Sequence, residues 1–186
     1  MHRKAGGPDD VSLFGWVVRH YPHGWLTCDD GSGEVADFVH LAPDGMLRLI
    51  HVKSARKNSR TREVAASMYE VVVGQAVKNL ALLDDLDRLA ARLDRPGAAR
   101  FATWHDGTRQ PDRAGFLAAL RARTRELETE VVIVQPHVRK PAYDAVRTGG
   151  VRDDLLRLYL LESLLNGASS SVVARGATLK VLGDQG

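Results

Sequence analysis

Three short apolar runs sit close together between residues 25 and 54, and the segments that separate them are almost pure turn formers. The first is Asp29-Asp30-Gly31-Ser32-Gly33 and the second is Ala42-Pro43-Asp44-Gly45. Glycine reaches positive φ without steric cost, proline presets φ, and aspartate bonds to its own backbone, so such clusters reverse the chain. Strands joined this tightly are antiparallel neighbours, since a parallel crossover needs a dozen residues or more. Residues 25–28, 34–41 and 46–54 are therefore expected to form an antiparallel meander.

The rest of the chain supplies helices and further strands. Pro8-Asp9-Asp10 followed by Val11, Phe14, Val17 and Val18 predicts a capped amphipathic helix ending near Tyr21-Pro22. Residues 62–93 carry apolar side chains at helical spacing until Pro96-Gly97 stops them. A short strand is expected over 99–104 and a helix over 112–128. Residues 130–136, with Val131, Val132, Ile133 and Val134, are apolar on both faces, which suits a central strand. An apolar helix over 153–165 and a closing strand over 171–182 complete the order. The expected fold is α/β, a mixed β-sheet with an antiparallel meander flanked by α-helices. One domain is expected over 1–186, with 1–9 flexible and a core over about 11–182.

Composition narrows the class. The chain has 186 residues, 44% hydrophobic and 26% charged, which is ordinary for a folded domain. No apolar run approaches a membrane span and the first ten residues are too polar for a signal peptide, so a cytoplasmic protein with no membrane contact is expected. One cysteine, Cys28, allows neither an internal disulfide nor a thiolate zinc site. There is no Gly-x-Gly-x-x-Gly or Walker-type run and no Gly-x-Ser-x-Gly elbow, so a nucleotide-driven motor and a serine hydrolase are not encoded. Any ATPase would be a partner or a fused domain.

The net charge is only +3, but it is localised. Lys53, Arg56, Lys57, Arg60 and Arg62 fall within ten residues that contain no acid. The remainder holds 21 basic against 23 acidic residues. Arginine forks match phosphate geometry, so Arg56, Lys57, Arg60 and Arg62 are candidate nucleic-acid contacts.

The same region holds a constellation with chemical meaning. Side chains alternate along a strand, so His51 and Lys53 share a face. If the hairpin pairs Asp37 near His51, a carboxylate, an imidazole and an ammonium meet. Such a patch suits phosphodiester hydrolysis. Asp37 would hold a divalent cation together with the backbone carbonyl of Val52, Lys53 would stabilise charge on the phosphate, and Glu34 or His51 are further candidate ligands. By strand parity Glu34 faces away from Asp37 unless a bulge turns it. Gln75 is the one polar residue on an otherwise apolar helix face.

These residues resemble the PD-(D/E)XK, restriction-endonuclease-like nuclease superfamily, whose signature is an acid on one strand of a meander and (D/E)-x-K on the next. Asp37 matches the first acid and Lys53 the lysine, while His51 stands where the second acid is usual. Gly33-Glu34-Val35-Ala36-Asp37-Phe38, His51-Val52-Lys53, Tyr69-Glu70-Val71 and Gly74-Gln75-Ala76 resemble a nuclease-like module attached to some bacterial helicase-type and defence proteins. The resemblance spans most of 11–182. It implies a Mg²⁺- or Mn²⁺-dependent endonuclease acting on nucleic acid, DNA foremost, in phage defence or DNA processing. It further implies Gln75 lining the site, with Tyr69 or Glu70 beside it, a helicase or ATPase partner or fused domain, and room for a homodimer that pairs two sites. Two other readings stay open: a catalytically inactive nucleic-acid-binding or assembly module on the same fold, favoured by His51, and a protein-interaction domain using the apolar helix over 155–165.

Overall fold

Side-chain alternation decides the layering of this molecule. The computed structural model describes residues 5–31, 33–55, 62–95, 102–124 and 128–185. Strands β1 (Trp25–Cys28), β2 (Phe38–Leu41) and β3 (Leu47–Val52) pair in chain order, each antiparallel to the last. Thus the two turn clusters build the expected meander. On its outer side β1 pairs antiparallel with β4 (Ala102–His105), which forms a hairpin with β5 (Thr108–Gln110). On the other side β3 pairs parallel with β6 (Thr129–Arg139), and β6 pairs parallel with β7 (Thr178–Asp184). The result is a mixed seven-stranded sheet in the order β5-β4-β1-β2-β3-β6-β7.

Helices cover both faces. Helix α1 (Leu13–His20) lies over Leu26, Phe38, Ile50 and Val132, which the strands present to one side. The opposite side is covered by α2 (Glu70–Lys78), α3 (Leu86–Leu93), α4 (Ala114–Ala122) and α6 (Arg152–Val173), with α5 (Lys140–Gly149) packed on α6. Val131 and Ile133 enter this second core while Val132 and Val134 enter the first, and all four are buried. A strand apolar on both faces is what an interior position between two helical layers requires.

Several boundaries differ from the periodicity, each for a local reason. The helix expected over 62–93 is broken into a 3₁₀ turn (Ala66–Met68), α2, a second 3₁₀ turn (Leu80–Asp84) and α3. Asp85 caps α3 by accepting from Arg88 N at 3.0 Å, which starts a new helix inside a continuous apolar pattern. The strand expected from 34 begins at Phe38, because Val35 and Asp37 are bends. Helix α6 continues to Val173 instead of yielding to a strand at 171. Ser170 and Ser171 turn their hydroxyls onto the carbonyls of Asn166 and Gly167, and Gly176 at φ 70° ends the turn that follows. Helix α5 and strand β5 are absent from the sequence reading. The β4–β5 turn is Asp106-Gly107 at φ 46° and 73°, a reversal that needs two left-handed residues. Within the stretch expected to be flexible, Ala5 is buried in the core that holds Val18 and Trp104.

Helix α6 is apolar beyond what it buries. Leu158 and Leu161 face the core, whereas Leu156, Tyr159 and Leu160 are 55–58% exposed. Among the described residues, no helix is long and apolar enough to cross a membrane.

Candidate metal centre

Asp37 is the last residue before β2. Continuing the β2–β3 register by one step from Phe38↔Ile50 places Asp37 opposite His51, on the face covered by α2 and α3. The carboxylate is held there: its Oδ2 accepts from Val52 N at 2.7 Å. Asp37 is only 7% exposed. Burial pushes its pKa up to about 7; the Val52 amide opposes this, and the neighbouring carboxylates of Glu34 and Asp30 add to it. Val52 therefore meets Asp37 through its amide N–H, a different contact from the carbonyl ligand expected of it.

Glu34 joins Asp37 because the chain between them is not a strand. Gly33 adopts φ 73°, and Glu34 N donates to Gly31 O at 3.2 Å, closing a tight turn. Strand parity does not govern such a segment, so Glu34 comes to the same side as Asp37. Its Oε2 accepts from Gly31 N at 2.9 Å and its Oε1 from Gln75 Nε2 at 3.1 Å. Asn79, at the end of α2, fixes the same turn by donating from Nδ2 to the carbonyls of Glu34 (3.0 Å) and Val35 (2.8 Å).

Asp30 completes the group. One carboxylate oxygen from each of Asp30, Glu34 and Asp37 lies within 4.8 Å of the others. Oxygen ligands at about 2.1–2.5 Å from a hard cation span up to about 5 Å across it, so the cluster has the right dimension. Three carboxylates and no sulfur suit Mg²⁺, Mn²⁺ or Ca²⁺ over softer metals. Burial is the main reason the Asp37 pKa is raised, and the smaller part that comes from Glu34 and Asp30 is the part a cation between them would remove.

The other expected site residues divide. Gln75, on α2, donates from Nε2 to Glu34 Oε1, which places it beside the carboxylates. Lys53 is solvent-exposed just past β3, and its amide continues the ladder by donating to Val134 O at 2.9 Å. His51 is 2% exposed, and among the described residues no hydrogen-bond partner meets its Nε2. Burial lowers its pKa to about 4, so the ring is neutral, and it is not one of the groups clustered within 4.8 Å. Tyr69 is buried and donates its hydroxyl to Gln135 O at 3.0 Å, while Glu70 is exposed at the start of α2.

Arg62 has a different use from the one expected. Its guanidinium side chain is 8% exposed and donates to the carbonyls of His137 (2.9 Å) and Pro136 (2.8 Å) and to Asp184 Oδ2 (2.8 Å). It clamps the ends of β6 and β7 together and faces inward. Arg56, Lys57 and Arg60 lie outside the described residues.

Asp30 and Asn79 are missing from the sequence reading. The available signal for Asp30 was the Gly31–Gly33 pair, which lets an acid on either side of the turn fold back toward the other; no local pattern marks Asn79. No family model matches the chain, and neither the curated proteins nor the solved structures contain a match.

Proposed function

We propose that the chain is a divalent-metal-dependent nuclease that hydrolyses phosphodiester bonds in nucleic acid, DNA foremost, on a restriction-endonuclease-like version of its α/β sheet. The observation that carries this reading is the convergence of Asp30, Glu34 and Asp37 at the end of the β2–β3 hairpin, with Gln75 on Glu34 and Lys53 on the adjoining strand end. Asp30, Glu34 and Asp37 would hold Mg²⁺ or Mn²⁺. Such an ion supplies Lewis acidity, polarising a phosphoryl oxygen and making water a better nucleophile. The chain's own groups do the rest. Val52 N–H and Gln75 fix the orientation of two of the carboxylates, which lowers the cost of assembling the site around a charged substrate. The Lys53 ammonium stabilises negative charge that builds on the phosphate. Arg56, Lys57 and Arg60 follow directly along the chain and supply phosphate contacts that set the register of the nucleic acid.

Cleavage assays on plasmid, single-stranded DNA and RNA in Mg²⁺ and Mn²⁺ test the reading. The wild-type chain should cut at least one of them. Asp37→Ala should fall to background, and Lys53→Ala should lose on the order of 10²–10³-fold, with both variants folded. Absence of cutting in either ion, together with absence of Mn²⁺ binding, would reject it.

A second reading has one observation in its favour. His51 occupies the position where a second acid is usual, and it is neutral, buried and outside the carboxylate cluster. A catalytically silent nucleic-acid-binding or assembly module follows from that. Binding that survives Asp37→Ala and Lys53→Ala, with a salt dependence that flattens when Arg56, Lys57 and Arg60 are neutralised, would select it over the nuclease.

A further inference from the structure

Asp29 and Asp30 are neighbours in the sequence, yet the fold treats them oppositely. Asp30 offers its carboxylate to the cluster. The Asp29 side chain is 1% exposed and lies against two guanidinium groups. Arg113, 5% exposed, donates from Nη1 to Asp29 Oδ1 at 3.3 Å, and Arg95 donates from Nη1 to Asp29 Oδ2 at 3.0 Å.

The same residue reaches the acidic turn by two further bonds. Asp29 Oδ2 accepts from Val35 N at 3.1 Å, and the Asp29 amide donates to Asp37 O at 2.9 Å. Asp29 is therefore bonded to the backbone of Asp37, bonded to the residue after Glu34, and adjacent in sequence to Asp30. Arg113 carries the brace outward by donating to Cys28 O at 2.6 Å and to Leu93 O, the ends of β1 and α3.

Charge explains why two arginines are needed. A buried carboxylate without a partner is costly, and here it would also add a fourth negative charge beside three others. Neutralised by Arg113 and Arg95, Asp29 can brace the turn without competing for a cation.

We infer that Asp29, clamped by Arg113 and Arg95, is a positioning residue that sets the spacing of Asp30, Glu34 and Asp37 and is not itself a ligand. This rests on the metal-centre reading above. Groups one step outside a metal's ligands typically change its affinity by about 10–100-fold when they are mutated.

Calorimetric titration of the full chain with Mn²⁺ decides it, using wild type, Asp29→Asn, Arg95→Gln and Val17→Ala. Asp29→Asn keeps an oxygen for Val35 N–H but removes the charge that holds the arginines. Val17 is a buried residue of α1, packed against the opposite face of the sheet, so its truncation lowers stability without touching the brace. The expected result is Mn²⁺ affinity weaker by about 10–100-fold in Asp29→Asn, weaker by at least about threefold in Arg95→Gln, and unchanged in Val17→Ala. Should Asp29→Asn fail to fold, Arg95→Gln decides alone, since that side chain is 20% exposed, more open to solvent than Arg113. Wild-type affinity in the folded brace variants, or equal weakening in Val17→Ala, would overturn the positioning role and leave the metal centre standing. Failure of the wild-type chain to bind Mn²⁺ would remove the centre and the brace together.

Discussion

Asp37 is buried between two helices and a sheet with two other carboxylates beside it, and its pKa rises to about 7 as a result. The consequence for stability has a definite sign. Between pH 3.8 and about 7 the folded chain keeps a proton that the unfolded chain releases, so without a cation Asp37 lowers stability as pH rises through that window. His51 and His40, both lowered to about 4 by burial, act the other way: the unfolded chain binds protons there first, so their contribution is lost as pH falls from 6.5 towards 4. Asp37→Asn removes only the first effect while keeping an oxygen for Val52 N–H. Urea unfolding in chelator should show the variant gaining on wild type from near zero at about pH 4 to roughly 4 kcal/mol above pH 7. A difference that does not change with pH would mean that Asp37 is not ionised against burial at all. At this scale the sequence was informative about residue type and less so about neighbours. Asp37, Lys53 and Gln75 were legible because a carboxylate, an ammonium and an amide are conspicuous among Phe38, Val52 and Val72. Asp30 was not, because a turn aspartate has an ordinary local use and nothing in the chain distinguishes it from Asp29.

At the scale of the element, parity and periodicity worked where the backbone stayed regular. The meander and β6 followed from turn chemistry and from Val131–Val134 being apolar on both faces. Glu34 did not follow, since the alternation rule assumed a strand where Gly33 makes a turn. The single helix expected over 62–93 failed for a related reason. An apolar pattern is blind to side chains such as Asn79 and Asp85, whose bonds to other backbone groups end one helix and start the next. Arg62 illustrates the same limit for charge. It belongs to a basic run in sequence, but its bonds tie β6 to β7. Arg62→Ala should therefore cost roughly 1–3 kcal/mol in chemical denaturation. It should leave the salt dependence of nucleic-acid binding unchanged, whereas neutralising Arg56, Lys57 and Arg60 should flatten it by about 0.9 in log–log slope for each phosphate that no longer meets a cation. A flattened slope in the Arg62 variant would return that residue to the interface.

At the scale of the molecule, the sheet places its acidic cluster where two elements of different kinds meet. The β2–β3 hairpin supplies Asp37 and the turn before it supplies Asp30 and Glu34, while α2 closes over them with Gln75 and Asn79. The turn's own bonds are local, but those that close the site run from Val52 to Asp37 and from Gln75 and Asn79 back to Glu34, which is why the strands and the turn could be read from the sequence and the cluster as a whole could not. What joins it to the rest, the packing of α2 and the strand order around β3 and β6, depends on long-range pairing that no local pattern encodes. On the proposed function, this junction holds a divalent cation. A crystal soaked in Mn²⁺ and measured for anomalous scattering addresses it directly. The predicted result is one peak between Asp30, Glu34 and Asp37 that is lost in Asp37→Asn. Absence of a peak there in the wild-type chain, or a peak that persists in the variant, would contradict it.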